Sequence, residues 1–194
     1  MGLLVMILGL ILFFGVHTLT TQRDLRARFI ASMGEGGYKI FYSLASIAGL
    51  ALIAWGFADY RATGWIDVWN PPKAFQHITV ALMLPAVILV VASYIRGRIY
   101  TTLKHPMLAG VKLWAAAHLL ANGDLGSIIL FGSFLAWAVF DRISLKRRAD
   151  PGAPPIPVGG PGNDLIAIAV GVVAYLALAF AFHPVVIGVP VFGV

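Results

Sequence analysis

Six stretches of the chain are apolar for long enough to be read as helices in lipid, at about 2–20, 38–60, 75–95, 107–121, 125–140 and 165–183. A hydrocarbon core of about 30 Å takes roughly 20 helical residues to cross. The fourth run is the shortest, and it contains Lys112 and His118. Its borders are sharp, with His105-Pro106 before it and Asn122-Gly123-Asp124 after it. Such a turn joins two antiparallel helices tightly and leaves Asp124 placed to cap the fifth. Residues 150–164 (DPGAPPIPVGGPGND) read as an irregular linker, with Asn163 or Asp164 placed to cap the sixth helix. The pattern predicts an all-α polytopic membrane helix bundle of about six transmembrane helices, one domain over 1–194. The first run lacks a basic leading region, and His17-Thr18-Leu19-Thr20-Thr21 is a poor cleavage site, so it reads as a span and not as a signal peptide.

Composition strengthens this picture. Of the 194 residues, 60% are hydrophobic and 11% charged, and the mean hydropathy is +0.89. Soluble domains run near half apolar and a quarter charged, so an ordinary water-soluble globule is excluded. Disorder is excluded too, because this much apolar surface must be buried somewhere. The absence of cysteine removes disulfides, iron–sulfur clusters, thiolate-bound metals and cysteine nucleophiles.

The net charge of +6 is a matter of topology. Arg23, Arg26, Arg28 and Lys39 follow the first run, Arg96, Arg98 and Lys104 the third, and Arg142, Lys146, Arg147 and Arg148 the fifth. The other side holds only Arg61 and Lys73. The positive-inside rule then places the three basic loops and the 150–164 linker in the cytoplasm and both termini outside. The expected partner is membrane lipid, and no nucleic acid is expected.

Chemistry must be sought inside the bundle, where a polar side chain is costly and marks function by default. Aspartate and glutamate are absent from the span centres, which leaves almost no residues for a carboxylate relay or a di-iron site. All five histidines lie in or at the edges of the spans, and neutral imidazole holds haem iron, copper or zinc. His118 is the foremost ligand candidate: it follows three alanines, with Trp114 one turn before and Asn122 one turn after on the same face. His17 lies near the inner end of the first span. His77 opens the third, His105 sits at the inner edge of the fourth, and His183 precedes Pro184 at the outer end of the sixth, where it reads as interfacial. Lys112 either snorkels or meets a carboxylate such as a haem propionate. Gly9 and Gly15, and Gly126 and Gly132, read as places of close helix contact.

The segment from His105 to Asp124, HPMLAGVKLWAAAHLLANGD, resembles the signature of the NnrU family. Leu130-Phe131-Gly132, Asp141-Arg142 and Gly15-Val16-His17 extend the likeness over nearly the whole chain. That family takes its name from a bacterial gene associated with nitrite and nitric oxide metabolism in denitrification, and it includes the plant zeta-carotene isomerase, a membrane haem b protein. The resemblance implies a multi-pass protein of the bacterial inner membrane that binds haem b. It implies iron ligation by His118 and His17. A redox partner or a hydrophobic small molecule such as a polyene is implied with it. Where the isomerase has a cysteine three residues before its second ligand, this chain has Ala115.

On straight helices His118 lies eleven residues beyond Met107, about 16 Å from the inner face, whereas His17 lies close to that face. Equal depth would favour His77.

Overall fold

A computed structural model of the protein describes residues 1–148 and 156–192. Part of the proline- and glycine-rich linker, 149–155, thus lies outside the described residues. The elements are α1 (Gly2–Leu19), α2 (Arg23–Thr63), α3 (Lys73–Ala92), α4 (Arg98–Leu103), α5 (Pro106–Ala121), α6 (Leu125–Arg147), α7 (Pro161–Ala177) and a π-helix (Leu178–Ile187). Five helical segments are long and apolar enough to cross a membrane, the last being α7 continued by the π-helix. α5 is the short sixth: its 16 residues rise about 24 Å, less than the hydrocarbon thickness. It is packed between α3 and α6. The lateral order runs α2, α1, α6, α5, α3, α7.

Small residues set the α1–α2 contact. A Cβ on Gly9 would lie 2.7 Å from the backbone nitrogen of Ile53, so only glycine admits that approach. Gly126 does the same for the ring of Tyr60, whereas Gly15 and Gly132 face open space and serve no such contact. Met6, Leu10, Ile53, Ala115, Leu130 and Phe131 form the core that joins α1, α2, α5 and α6.

α2 begins well before the apolar run that predicts it, and it is broken at Gly34 (φ 75°, ψ 164°). Glycine takes that conformation at little steric cost. The basic segment 23–33 folds back there: Arg26 lies over the Tyr38 ring at 5.3 Å, and Phe29 stacks on Phe41. Residues twelve apart on a straight helix are separated by about 18 Å.

One end of the bundle gathers the start of α1, the end of α2, the α5–α6 turn and the end of the π-helix. Gly2 lies against Gly56 and Tyr60, and the Arg61 guanidinium donates to the Ile187 carbonyl at 3.4 Å. Asp124 caps α6, accepting from the Ser127 amide at 2.8 Å, as its position predicts. The turn is locked by an antiparallel bridge between Asp67 and Asp124 and by the Val68 and Trp69 amides, which both donate to the Gly123 carbonyl.

The opposite end is basic. Arg148 pairs with Asp141 and donates to the Thr20 carbonyl at 3.0 Å, tying the end of α6 to the end of α1. Asn163 and Asp164 do not cap α7, whose N-cap is Gly160 without a side-chain bond. Asp164 instead accepts from the amides of Arg98 and Ile99 at 2.9 Å each, capping the short α4. Asn163 donates to the Arg96 carbonyl. A carboxylate held 66 residues away is thus spent on a neighbouring helix start.

Candidate functional site

α5 is started by Pro106, whose missing N–H costs nothing in the first helical turn. It carries His118 in its last turn. The His118 Nδ1 lies 2.9 Å from the Trp114 carbonyl. A carbonyl only accepts, so Nδ1 carries the proton and Nε2 is left with its lone pair. The ring stacks on Phe131 of α6, with centres 4.6 Å apart, and stands 5.4 Å from Trp114. Asn122 completes the helix end by donating to the His118 carbonyl at 2.8 Å.

His17 repeats the device in the last turn of α1. Its Nδ1 lies 2.7 Å from the Phe13 carbonyl, which again leaves Nε2 unprotonated. Its ring stacks on Phe13 at 4.0 Å and meets Tyr42 at 5.2 Å and Trp137 at 5.5 Å.

The two histidines are not in ring contact. A ladder of rings runs between them, from Phe13 to Phe134 at 5.5 Å and from Phe134 to Trp114 at 5.2 Å. Along α6, His118 sits beside Phe131 and His17 beside Trp137. Those positions are six residues apart, about 9 Å of helix rise. The depth mismatch expected from straight helices is therefore retained in the fold.

The imidazole that does meet His118 is that of His183, with ring centres 6.2 Å apart and planes inclined by 33°. His183 stands in the π-helix directly before Pro184. In an α-helix that proline would crowd the Phe180 carbonyl and could not donate to it. The wider π turn relieves the clash, and π turns are frequent at functional sites. Gly188 ends the element in the left-handed conformation (φ 75°), and the Val189 amide donates to the His183 carbonyl at 3.1 Å. The His183 Nδ1 is buried and has no hydrogen-bond partner among the described residues. The sequence placed this residue at the membrane interface. A histidine–proline pair in an apolar run, at the same outer depth as His118, was the available signal.

The remaining candidates lie apart. His77 is exposed at the start of α3. Two residues on, Thr79 donates to the Ala117 carbonyl at 2.7 Å, so His77 is about 200° round the helix from the α5 contact. His105 is the half-buried N-cap residue of α5. Burial first, and then the cation of Arg142, hold its imidazole below the ordinary value, with Asp141 opposing. Lys112 is half-buried on α5 and makes no ion pair among the described residues. No group of three histidine, aspartate or glutamate side chains suited to a metal ion occurs among the described residues.

The sequence matches the NnrU family (NnrU protein) over residues 5–191, and the chain belongs to that family. No curated protein and no solved structure gives a match.

Proposed function

We propose that this NnrU-family membrane protein binds haem b through His118 and serves nitrogen-oxide or respiratory metabolism in the bacterial inner membrane. The observation that carries the reading is the fixed tautomer of His118. Its Nδ1–H is held by a backbone carbonyl, and a metal-binding histidine is ordinarily oriented by this kind of second bond, which also raises the basicity of the free nitrogen. The donor chemistry fits haem better than a bare ion. Zinc in proteins takes four ligands, and the described residues offer no cluster of three. A porphyrin brings its own equatorial nitrogens and asks the protein only for axial imidazole.

When bound, haem supplies a one-electron iron centre. The chain's own part is to present Nε2 of His118, to exclude water with Trp114 and Phe131, and to offer cations to carboxylate groups. Lys112 and Arg61 are available for that last role. The basic end lies in the cytoplasm and both termini lie in the periplasm, as the charge distribution favours.

A second reading, an isomerase of hydrophobic polyenes, draws support from an apolar furrow between α1 and α6. Ile7, Leu10, Ile11, Phe14, Ile129 and Ser133 line it. Phe14 stands 5.8 Å from Trp137, the ring that His17 also meets.

Reduced-minus-oxidised spectra of the detergent-purified protein test the main reading. The expected result is a Soret band and a sharp ferrous band that vanish in His118→Ala. A colourless wild-type preparation, or a band unchanged in His118→Ala, overturns it. Conversion of tri-cis-zeta-carotene by the haem-loaded protein would establish the second reading, and full haem loading without conversion removes it.

A further inference from the structure

We infer that the arginine-bearing helical segment 23–33 lies in the plane of the membrane surface and holds the headgroups of anionic phospholipids in the leaflet at the basic end. Haem plays no part in this. The register of α1 on α2 places the segment. The two helices run antiparallel, with Gly2 against Tyr60, Gly9 against Ile53 and Gly49 against Phe13. That register brings Leu19, the last residue of α1, level with about residue 43. Past that point the chain stops advancing along the bundle. Arg26 lies over the Tyr38 ring and Phe29 stacks on Phe41. Residues 19 to 29 thus stay level with residues 38–43 of α2, about 7 Å of helix rise. Residues 23–33 measure about 16 Å along their own axis. The segment therefore runs across the ends of α1 and α2, and Gly34 makes the turn from it into the span.

What the segment exposes names its partner. Its sequence, RDLRARFIASM, carries three arginines and one aspartate. Leu25 and Met33 are 36% and 40% exposed, and Ile40, where the span begins, is 63% exposed. Glu35, just past the turn, is taken by Lys39 at 2.8 Å. Apolar side chains left open beside cations are what an interfacial helix presents, the first to acyl chains and the second to phosphates. A soluble phosphate would meet the cations and leave the apolar groups in water.

A second element adds to the patch. Arg148 donates to the Thr20 carbonyl at 3.0 Å, which fastens the end of α6 beside the start of the segment. Lys146 and Arg147, both exposed, therefore stand at the same end as the exposed Arg28. Attraction to anionic lipid grows with each such cation and acts within about 10 Å of the surface.

The chain has no cysteine, so Ala31→Cys, at an exposed position, takes an environment-sensitive fluorophore at one place. The labelled full chain is reconstituted into nanodiscs of phosphatidylcholine in which a minor share of the lipid is brominated, either as phosphatidylglycerol or, at the same mole fraction, as phosphatidylcholine. Brominated phosphatidylglycerol is expected to quench at least about threefold more strongly. The same label on Ala62→Cys, at the other end of α2, is expected to show no preference between the two lipids. Combining Arg28→Gln, Lys146→Gln and Arg147→Gln is expected to remove most of the preference at position 31. Combining Arg28→Lys, Lys146→Arg and Arg147→Lys is expected to keep it, which separates charge from folding. Inorganic phosphate at constant ionic strength is expected to leave it in place.

Equal quenching by the two lipids at position 31 overturns the inference, and so does an equal preference at position 62. A preference that survives the three glutamines, or that is lost in the charge-keeping variant as well, also overturns it. Abolition by inorganic phosphate would make the patch a site for soluble anions and overturns the lipid assignment.

Discussion

His17 and His118 use the same local device, an Nδ1 bond to the carbonyl four residues back, at the last turn of an apolar helix. Their surroundings differ. His17 is packed by rings from α1, α2 and α6, at the end of the bundle closed by the Asp141–Arg148 pair. His118 faces a second imidazole across the bundle, at the end closed by backbone bonds of the 64–72 loop to the α5–α6 turn. The same bond prepares one nitrogen in each ring, and the neighbouring elements decide what meets it: Phe13, Tyr42 and Trp137 at His17, Phe131 and the His183 imidazole at His118. His17 also starts the ladder Phe13–Phe134–Trp114 that runs toward the other end.

The largest expected effect tests whether the two ends are separable. Arg148 is nearly buried together with Asp141, and it also bonds the Ser144 hydroxyl and the Thr20 carbonyl. Removing one partner of such a pair leaves an uncompensated charge and costs about 3–5 kcal/mol. Arg148→Ala is expected to lower the thermal unfolding midpoint in detergent clearly below that of the wild type. Below that temperature, haem per protein at the other end should be unchanged. If haem is lost along with the latch, the two ends form one cooperative unit and the contrast fails.

The next effect is on the other end. Asp124 is 1% exposed, and its Oδ1 caps α6, while its Oδ2 has no partner among the described residues. Asp124→Ala is expected to cost about 1 kcal/mol through the lost cap. Asp124→Asn keeps an acceptor oxygen for the Ser127 amide and should cost much less, since asparagine caps about as well as aspartate. The pair is read from unfolding midpoints. Equal losses in the two variants would mean that the carboxylate charge, and not the cap, holds this turn.

Much of the scaffold was legible in the residues. The apolar runs mark the helices because lipid enforces intrahelical bonding, and Asn122-Gly123-Asp124 marks the tight turn with its cap. What escaped depends on distant partners. Asp164 looks like a local cap, but the start of α4 captures it. Gly15 and Gly132 look like contact points, yet whether a glycine meets another helix depends on which neighbour passes there. His183 reads as interfacial because a histidine before proline at a span end ordinarily is, whereas the fold sets its ring against His118. The π geometry that turns it inward follows from Pro184 in its helical setting, which hydropathy does not register. The His118 surroundings were half legible: spacing placed Trp114 and Asn122 on its face, but no local rule brings the chain's last helix across to it.

The smallest effect comes from pH and belongs to the basic end alone. His105 stands at the N-cap of α5 among Arg142, Arg148 and Lys104, with Asp141 opposing them. Burial and these cations disfavour its charged form in the fold, so its pKa there is below the ordinary value of about 6.5. As pH falls, the unfolded chain takes up this proton before the folded chain does, and by linkage stability drops with it. The contribution is fully present above about pH 6.5 and declines as pH falls from there through the folded-state value. Unfolding midpoints in detergent between pH 7.5 and 5 are expected to fall slightly for the wild type. His105→Gln should flatten that slope without changing the spectrum of haem at His118. A slope that persists in His105→Gln would move the acid sensitivity to other groups, and a spectral change would show that the basic end reaches the imidazole pair after all.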